Sequence, residues 1–157
     1  MSSHHSTGPF DVALAPQPLS DVAAPAGLGR MSLDKRFHGE LEATSQGEML
    51  SWRDAAKTSG GYVALELVRG TLAGREGSFV LQHSSTMAAG VPQQSITVVP
   101  GSGTGALVGL SGRMEVVIGE GGAYSYRSTG ACRDRIAFSH PSSDACHSMI
   151  PAPTCSC

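Results

Sequence analysis

Apolar and polar residues alternate with period two along most of the first 126 residues, and this pattern constrains the fold more than any other feature of the chain. Alternation places one set of side chains on each face of an extended strand. The 20 glycines and 9 prolines among 157 residues favour tight turns over long helices. We therefore predict an all-β fold of seven or eight short strands, either an antiparallel sandwich or a closed barrel. The predicted strands are Thr7–Leu14, Met31–Gln46, Tyr62–Arg69, Ser78–Met87, Gln94–Val99, Met114–Ile118 and an extended piece beginning at Tyr124–Tyr126.

Two stretches interrupt the alternation. Pro16, Pro18 and Pro25 predict a non-helical connection of roughly fifteen residues after the first strand. The segment Glu48–Thr58 fits either a strand end with a loop or one helical turn. Gly39 lies inside the second predicted strand, which indicates a bend or bulge at that point.

Composition narrows the range of partners and compartments. Only 15% of the residues are charged and the net charge is -2, so the chain lacks the basic surface that nucleic-acid binding requires. No apolar run approaches the ~18 residues of a membrane-spanning helix, so we expect no membrane partner. The first ten residues do not resemble a signal peptide, and residues 1–126 contain no cysteine. These features predict a cytoplasmic protein.

Several ordered blocks of sequence carry a resemblance to a known family. The Gly-Thr-Gly-x-Leu-x-Gly stretch at 103–109 is similar to that of allene oxide cyclases and dirigent proteins. Four blocks follow one another along the chain: Leu28–Ser45, Gly61–Glu66, Gly77–Ser84 and Ser95–Gly112. With these blocks, the chain resembles the bacterial domain-of-unknown-function family 3224 over roughly residues 7–126.

The resemblance implies a closed antiparallel barrel of about eight strands, like that of allene oxide cyclases and lipocalins, with a central pocket. It brings no established activity and no established catalytic residue. We divide the chain into a flexible N-terminus (1–6), a barrel domain (7–126) and an irregular tail (127–157).

Glu66 and His83 are the candidates for chemistry. Glu66 shares a strand face with Tyr62, opposite Val63, Leu65 and Leu67. If the lumen lies on the Tyr62 side, Glu66 is a buried carboxylate whose raised pKa would suit a general base. If it does not, Glu66 is an ordinary exposed glutamate. His83 lies on an apolar face, either as a hydrogen-bonded core residue or as an acid or base in a pocket.

Candidate ligand contacts are Trp52, Tyr62 and Phe79. A metal site is a weaker alternative: His38 and Glu40 are spaced for one strand face, and His83 from a neighbouring strand would complete a two-histidine, one-carboxylate set. Glu42 extends the same polar row, which also fits a solvated outer face. We predict no cofactor and no metal.

Two classes of function remain open. The first is a barrel that binds a small apolar molecule in its lumen, with or without catalysis. The second is a structural or interaction barrel whose core is filled by its own side chains. The low charge also predicts poorly solvated outer faces and hence a homo-oligomer, most simply a dimer.

The tail departs from the rest of the chain. The resemblance implies a last strand of the form Tyr-x-Tyr-x-Phe-x-Tyr, whereas this chain reads Tyr124-Ser-Tyr126-Arg-Ser-Thr. Loss of one base from codons for Arg-Phe-Asp yields Arg-Ser-Thr, so we predict that residues 128–157 are a disordered, out-of-frame tail and that the last strand is truncated. The alternatives are disulfides or a metal knot built from Cys132, Cys146, His147, Cys155 and Cys157.

Overall fold

The computed structural model describes residues 3–132, which form one closed antiparallel barrel of eight strands in sequential order. Short 3₁₀ turns at Gly105–Leu107 and Glu120–Gly122 precede the last two strands. The predicted all-β closed barrel is therefore confirmed. The strands are β1 (Ser3–Pro16), β2 (Gly29–Phe37), β3 (Leu41–Arg53), β4 (Gly60–Leu72), β5 (Arg75–Ala88), β6 (Val91–Val98), β7 (Ser111–Ile118) and β8 (Tyr124–Ala131).

The barrel closes between β1 and β8, and its shortest seam lies between β6 and β7. The closing ladder runs from the pair Ser3↔Ala131 to Pro9↔Ser125. Along the short seam only Ile96 and Thr97 pair with β7. Beyond that pair, the side-chain oxygen of Gln94 accepts a hydrogen bond from Val116 N at 3.1 Å. A side chain thus substitutes there for the missing backbone ladder.

The predicted strand Met31–Gln46 is wrong as a single element, because it is the hairpin of β2 and β3. Gly39 lies in the connecting turn with φ of +100°. A side chain at this position would be strained and would approach Thr7 O to 3.0 Å, so only glycine fits readily. The undecided segment Glu48–Thr58 is a strand end, through Arg53, followed by a loop.

The structure also differs from the prediction at both ends of the barrel. Residues 3–6, expected to be flexible, belong to β1, and Ser6 is buried with its hydroxyl 2.6 Å from that of Ser128. The last strand is not truncated at 126, because β8 continues to Ala131 and pairs with both neighbours. Small residues at 128–130 still form backbone ladders, since pairing needs no particular side chain. The predictions for the tail beyond Cys132, including its cysteine sites, lie outside the described residues.

The packed core lies in the middle of the lumen and toward the end that carries the β2–β3 turn. Phe37 and Tyr126 are fully buried and their rings meet edge to face at 5.6 Å. The Tyr126 hydroxyl accepts a hydrogen bond from Leu41 N at 3.0 Å and donates one to His38 O at 3.1 Å. This aromatic layer fills the barrel waist. Within the described part of the chain, no helix is long and apolar enough to span a bilayer.

Candidate functional site

Residues 3–132 enclose a cavity toward each end of the barrel. The larger has a volume of about 620 Å³, and the smaller about 320 Å³. The larger volume falls within the usual range of small-molecule sites, about 300–1,000 Å³. The larger cavity is lined mainly by apolar side chains, among them Phe10, Val12, Leu14, Met31, Leu33, Met49, Trp52, Tyr62, Met87, Val116 and Tyr124.

A buried ionic cluster lies where the larger cavity meets the packed waist. It consists of Lys35 on β2, Ser45 on β3, Glu66 on β4 and His83 on β5. The strand register brings these residues together: Lys35 lies opposite Ser45, and each next member is displaced by two residues on the following strand. Diagonal neighbours of this kind lie within reach of long side chains. Lys35 and His83 both line the larger cavity.

Glu66 is the centre of the cluster. Its Oε1 accepts hydrogen bonds from Lys35 Nζ at 2.8 Å and His83 Nε2 at 2.7 Å, and its Oε2 accepts one from Ser45 Oγ at 2.7 Å. Glu66 is 1% exposed, His83 4% and Lys35 7%. Gly47, directly opposite Glu66, leaves the space that the carboxylate side chain crosses.

These contacts fix the charge of the carboxyl group. Burial alone would raise the pKa of Glu66, but the hydrogen bond from His83 and the positive charge of Lys35 outweigh it and lower the pKa to about 2. Glu66 is therefore ionised at neutral pH. Glu66 was expected in the lumen if the Tyr62 side of its strand faced inward, and this side does face inward. The raised pKa expected for that case is wrong, because the expectation took no account of these donors.

The other predicted site residues fall into three places. Trp52 and Tyr62 line the larger cavity with His83, whereas Phe79 lines the smaller one. His38 lies on the outside, 3.1 Å from Asp11 Oδ2, and Glu40 pairs with His4. The three residues of the alternative metal site therefore do not come together, because the wall of the barrel separates His38 and Glu40 from His83. Among residues 3–132, no three metal-ligating side chains come together.

Sequence reasoning missed Lys35 and Ser45 as site residues. Lys35 shares its strand face with Met31, Leu33 and Phe37, and a lysine on an otherwise apolar face is the signal that could have found it. Ser45 carries no such signal, because serine is common on either face of a strand.

The fold and site define a small closed β-barrel with a partly open lumen and a buried ionic cluster at the floor of its larger cavity. A family model described as "Protein of unknown function (DUF3224)" matches residues 6–129, and the chain belongs to this family. A crystal structure of a DUF3224 protein of unknown function from Shewanella oneidensis MR-1 is 48% identical. The match covers 85% of this chain and 99% of that one, with a TM-score of 0.78. Comparison with curated proteins gives no match.

Proposed function

We propose that the barrel binds a small apolar molecule in its larger cavity, with the polar group of that molecule directed toward Lys35 and His83. The main support for this proposal is that an apolar cavity of about 620 Å³ has a small set of polar groups at its floor. Ligand sites typically combine apolar walls with a few convergent polar groups that orient the ligand.

The buried cluster supports this proposal more strongly than the volume alone. An ion pair removed from water contributes little net stability, and an apolar replacement of the same shape is often neutral or better. A buried Lys35–Glu66 ion pair at the floor of an open cavity is therefore better explained by recognition of a ligand than by the stability of the barrel.

The alternative is a structural or interaction barrel with no ligand. That class is expected to fill its lumen with its own side chains, as small eight-stranded barrels commonly do. Here Ala64, Ser51 and Ser85 leave the wall of the larger cavity recessed. The volume that residues 3–132 leave unfilled favours the binding class.

Trp52 offers a direct test, because it is the one tryptophan of the chain and lies at the rim of the larger cavity, with half of its side chain exposed. The saturated hydrocarbon menthane, the alcohol menthol and the ketone menthone serve as apolar ligands of one shape. We expect each to shift or quench the Trp52 fluorescence saturably and to raise the melting temperature, since a ligand that binds only the native state stabilises it.

Two matched variants locate the binding. Ala64→Phe places a ring into the larger cavity, and Ser128→Phe places one into the smaller. Ala64→Phe should abolish the fluorescence response, whereas Ser128→Phe should preserve it. A panel in which none of the three molecules changes either signal would overturn the proposal and favour the ligand-free barrel.

A further inference from the structure

The state of Glu66 determines which nitrogen of His83 is free. A carboxylate can only accept hydrogen bonds, so His83 Nε2, at 2.7 Å from Oε1, carries a hydrogen and donates it. In the imidazole that carries its hydrogen on Nε2, Nδ1 holds an unshared electron pair.

No hydrogen bond joins Nδ1 of His83 to any of residues 3–132, although the side chain as a whole is only 4% exposed. Every side-chain nitrogen or oxygen of the described residues that is shielded from solvent has a hydrogen-bond partner. Nδ1 has none, so it must border open space. His83 lines the larger cavity, and that cavity supplies the space.

Lys35 brings a cation to the same floor. Its Nζ donates one hydrogen bond to Glu66. The same atom lies 5.5 Å from the centre of the Phe10 ring and 5.9 Å from that of the Phe37 ring. An ammonium group has three hydrogens, and those not donated to Glu66 remain for a ligand oxygen. A fixed cation in an apolar site stabilises a developing negative oxygen strongly, because water does not screen it.

We propose that His83 and Lys35 together catalyse proton transfer at the carbon next to the carbonyl of a small apolar ketone bound in the larger cavity. His83 Nδ1 takes the proton as the carbon–hydrogen bond breaks. The pair of that bond forms the carbon–carbon double bond, and the π pair of the carbonyl group moves onto the oxygen. The resulting enolate is held by Lys35 Nζ. Return of the proton from His83 restores the original ketone, and delivery of a proton from water to the opposite face gives the other isomer while His83 returns its own proton to water. The overall reaction is therefore an isomerisation with no net consumption of a reactant.

This inference rests on the proposed binding function, and menthone tests the two separately. Menthone and isomenthone differ only in configuration at the carbon beside the carbonyl, and they interconvert through the enolate. In deuterated water the same step exchanges the hydrogens at that position for deuterium, which proton NMR follows directly. Trp52 fluorescence reports binding of menthone independently of turnover.

Variants assign the roles. His83→Gln keeps an amide donor for Glu66 but has no base, and it should slow exchange by about 100-fold or more while menthone still binds. His83→Ala should lose exchange similarly and regain part of it when free imidazole is added, a rescue that a structural role would not give. Lys35→Met should weaken menthone binding more than menthane binding. Ser128→Phe, in the smaller cavity, serves as the unaffected control.

The outcomes are distinct. Binding of menthone with exchange that requires His83 supports the inference. Binding of all three molecules with no exchange above that of buffered imidazole overturns it and leaves the binding function intact. Equal affinity for menthane and menthone in both the native protein and Lys35→Met also overturns it, since the ketone oxygen then has no partner at the floor. Failure of the whole panel to bind overturns both.

Discussion

His83 Nε2 donates a hydrogen bond of 2.7 Å to Glu66 Oε1 inside the barrel, across the ladder between β4 and β5. The two residues are not directly opposite each other: His83 faces Ala64 and Glu66 faces Leu81. The small side chain of Ala64 keeps the cavity open above the histidine. This diagonal contact joins the buried carboxylate to the cavity.

Stability at acidic pH should depend on Glu66. Its pKa is about 2 in the folded protein against an ordinary 4.5, so its stabilising contribution is complete above pH 4.5 and is lost as the pH falls toward 2. Between pH 7 and pH 3 we expect the free energy of unfolding to lose on the order of 2 kcal/mol through this group. Urea titrations at several pH values measure the loss.

Glu66→Gln should flatten that acid dependence, because the amide does not titrate. Glu48→Gln is the matched control. The pKa of Glu48 is also lowered, chiefly by its hydrogen bond from Arg30, but the carboxylate is on the surface and water screens it. An acid dependence unchanged in Glu66→Gln would contradict the assignment of the buried charge.

Lys35→Met should destabilise the barrel by about 3–5 kcal/mol, because it leaves the Glu66 carboxylate buried without its cation. Adding Glu66→Gln to that variant should recover much of the loss, since the unpaired charge is then gone. Denaturant midpoints of the four proteins give the coupling energy. Additive effects of the two substitutions would contradict a direct ion pair.

Gly47→Ala should cost about 1–3 kcal/mol through overpacking beneath Glu66. A Cβ at this position would lie 2.7 Å from Glu66 Cβ and would clash with Leu65 O. Gly119→Ala is the control, because its φ of -86° suits alanine and its Cβ would meet only Ala123 O at 3.6 Å. Thermal unfolding compares the two. Equal melting temperatures would show that β3 yields at Gly47 without strain.

We expect the protein to form a dimer through the outer faces of β3 and β4. Leu50 and Val63 lie opposite each other there, and Leu65 follows on the same face, with exposures of 42%, 56% and 55%. A contiguous exposed apolar surface of this kind is typical of an interface. The measurement is light scattering on the native protein and on the double variant Val63→Lys, Leu65→Lys, which should be monomeric.

Val91→Lys removes an equally exposed apolar residue at the β5–β6 turn and should leave the dimer intact. A monomeric native protein would contradict the expected dimer. A double variant that remains dimeric would place the interface elsewhere.

The closed barrel could be predicted from the alternation of apolar and polar residues together with the family resemblance. Which face of β4 points into the lumen could not be predicted in this way. Tyr62, Ala64, Glu66 and Val68 point into the lumen, while the more apolar set of Val63, Leu65 and Leu67 points outward. Hydrophobicity alone favours the opposite arrangement. The choice is made by register: β4 pairs with β3 and β5 so that Glu66 meets Lys35 and His83, and that pairing depends on contacts remote in sequence.

The candidate site was predictable only in part for the same reason. Glu66 and His83 were identifiable as polar residues among apolar neighbours, and Trp52 and Tyr62 as cavity residues. Their grouping with Lys35 and Ser45 depends on three ladders: Lys35 lies directly opposite Ser45, and Glu66 and His83 follow as diagonal neighbours on the next two strands. The sign of the Glu66 pKa shift also depended on those neighbours, because burial and charge pairing act in opposite directions.

Above all, we propose that the larger cavity is a ligand site whose polar end is the Lys35–Glu66–His83 floor. A crystal structure of the menthone complex is the decisive experiment. We expect menthone in the larger cavity beside Tyr62 and Ala64, with its carbonyl oxygen within hydrogen-bond distance of Lys35 Nζ. Menthone found in the smaller cavity or on the outer surface, or bound in the larger cavity with its oxygen turned away from Lys35, would contradict it.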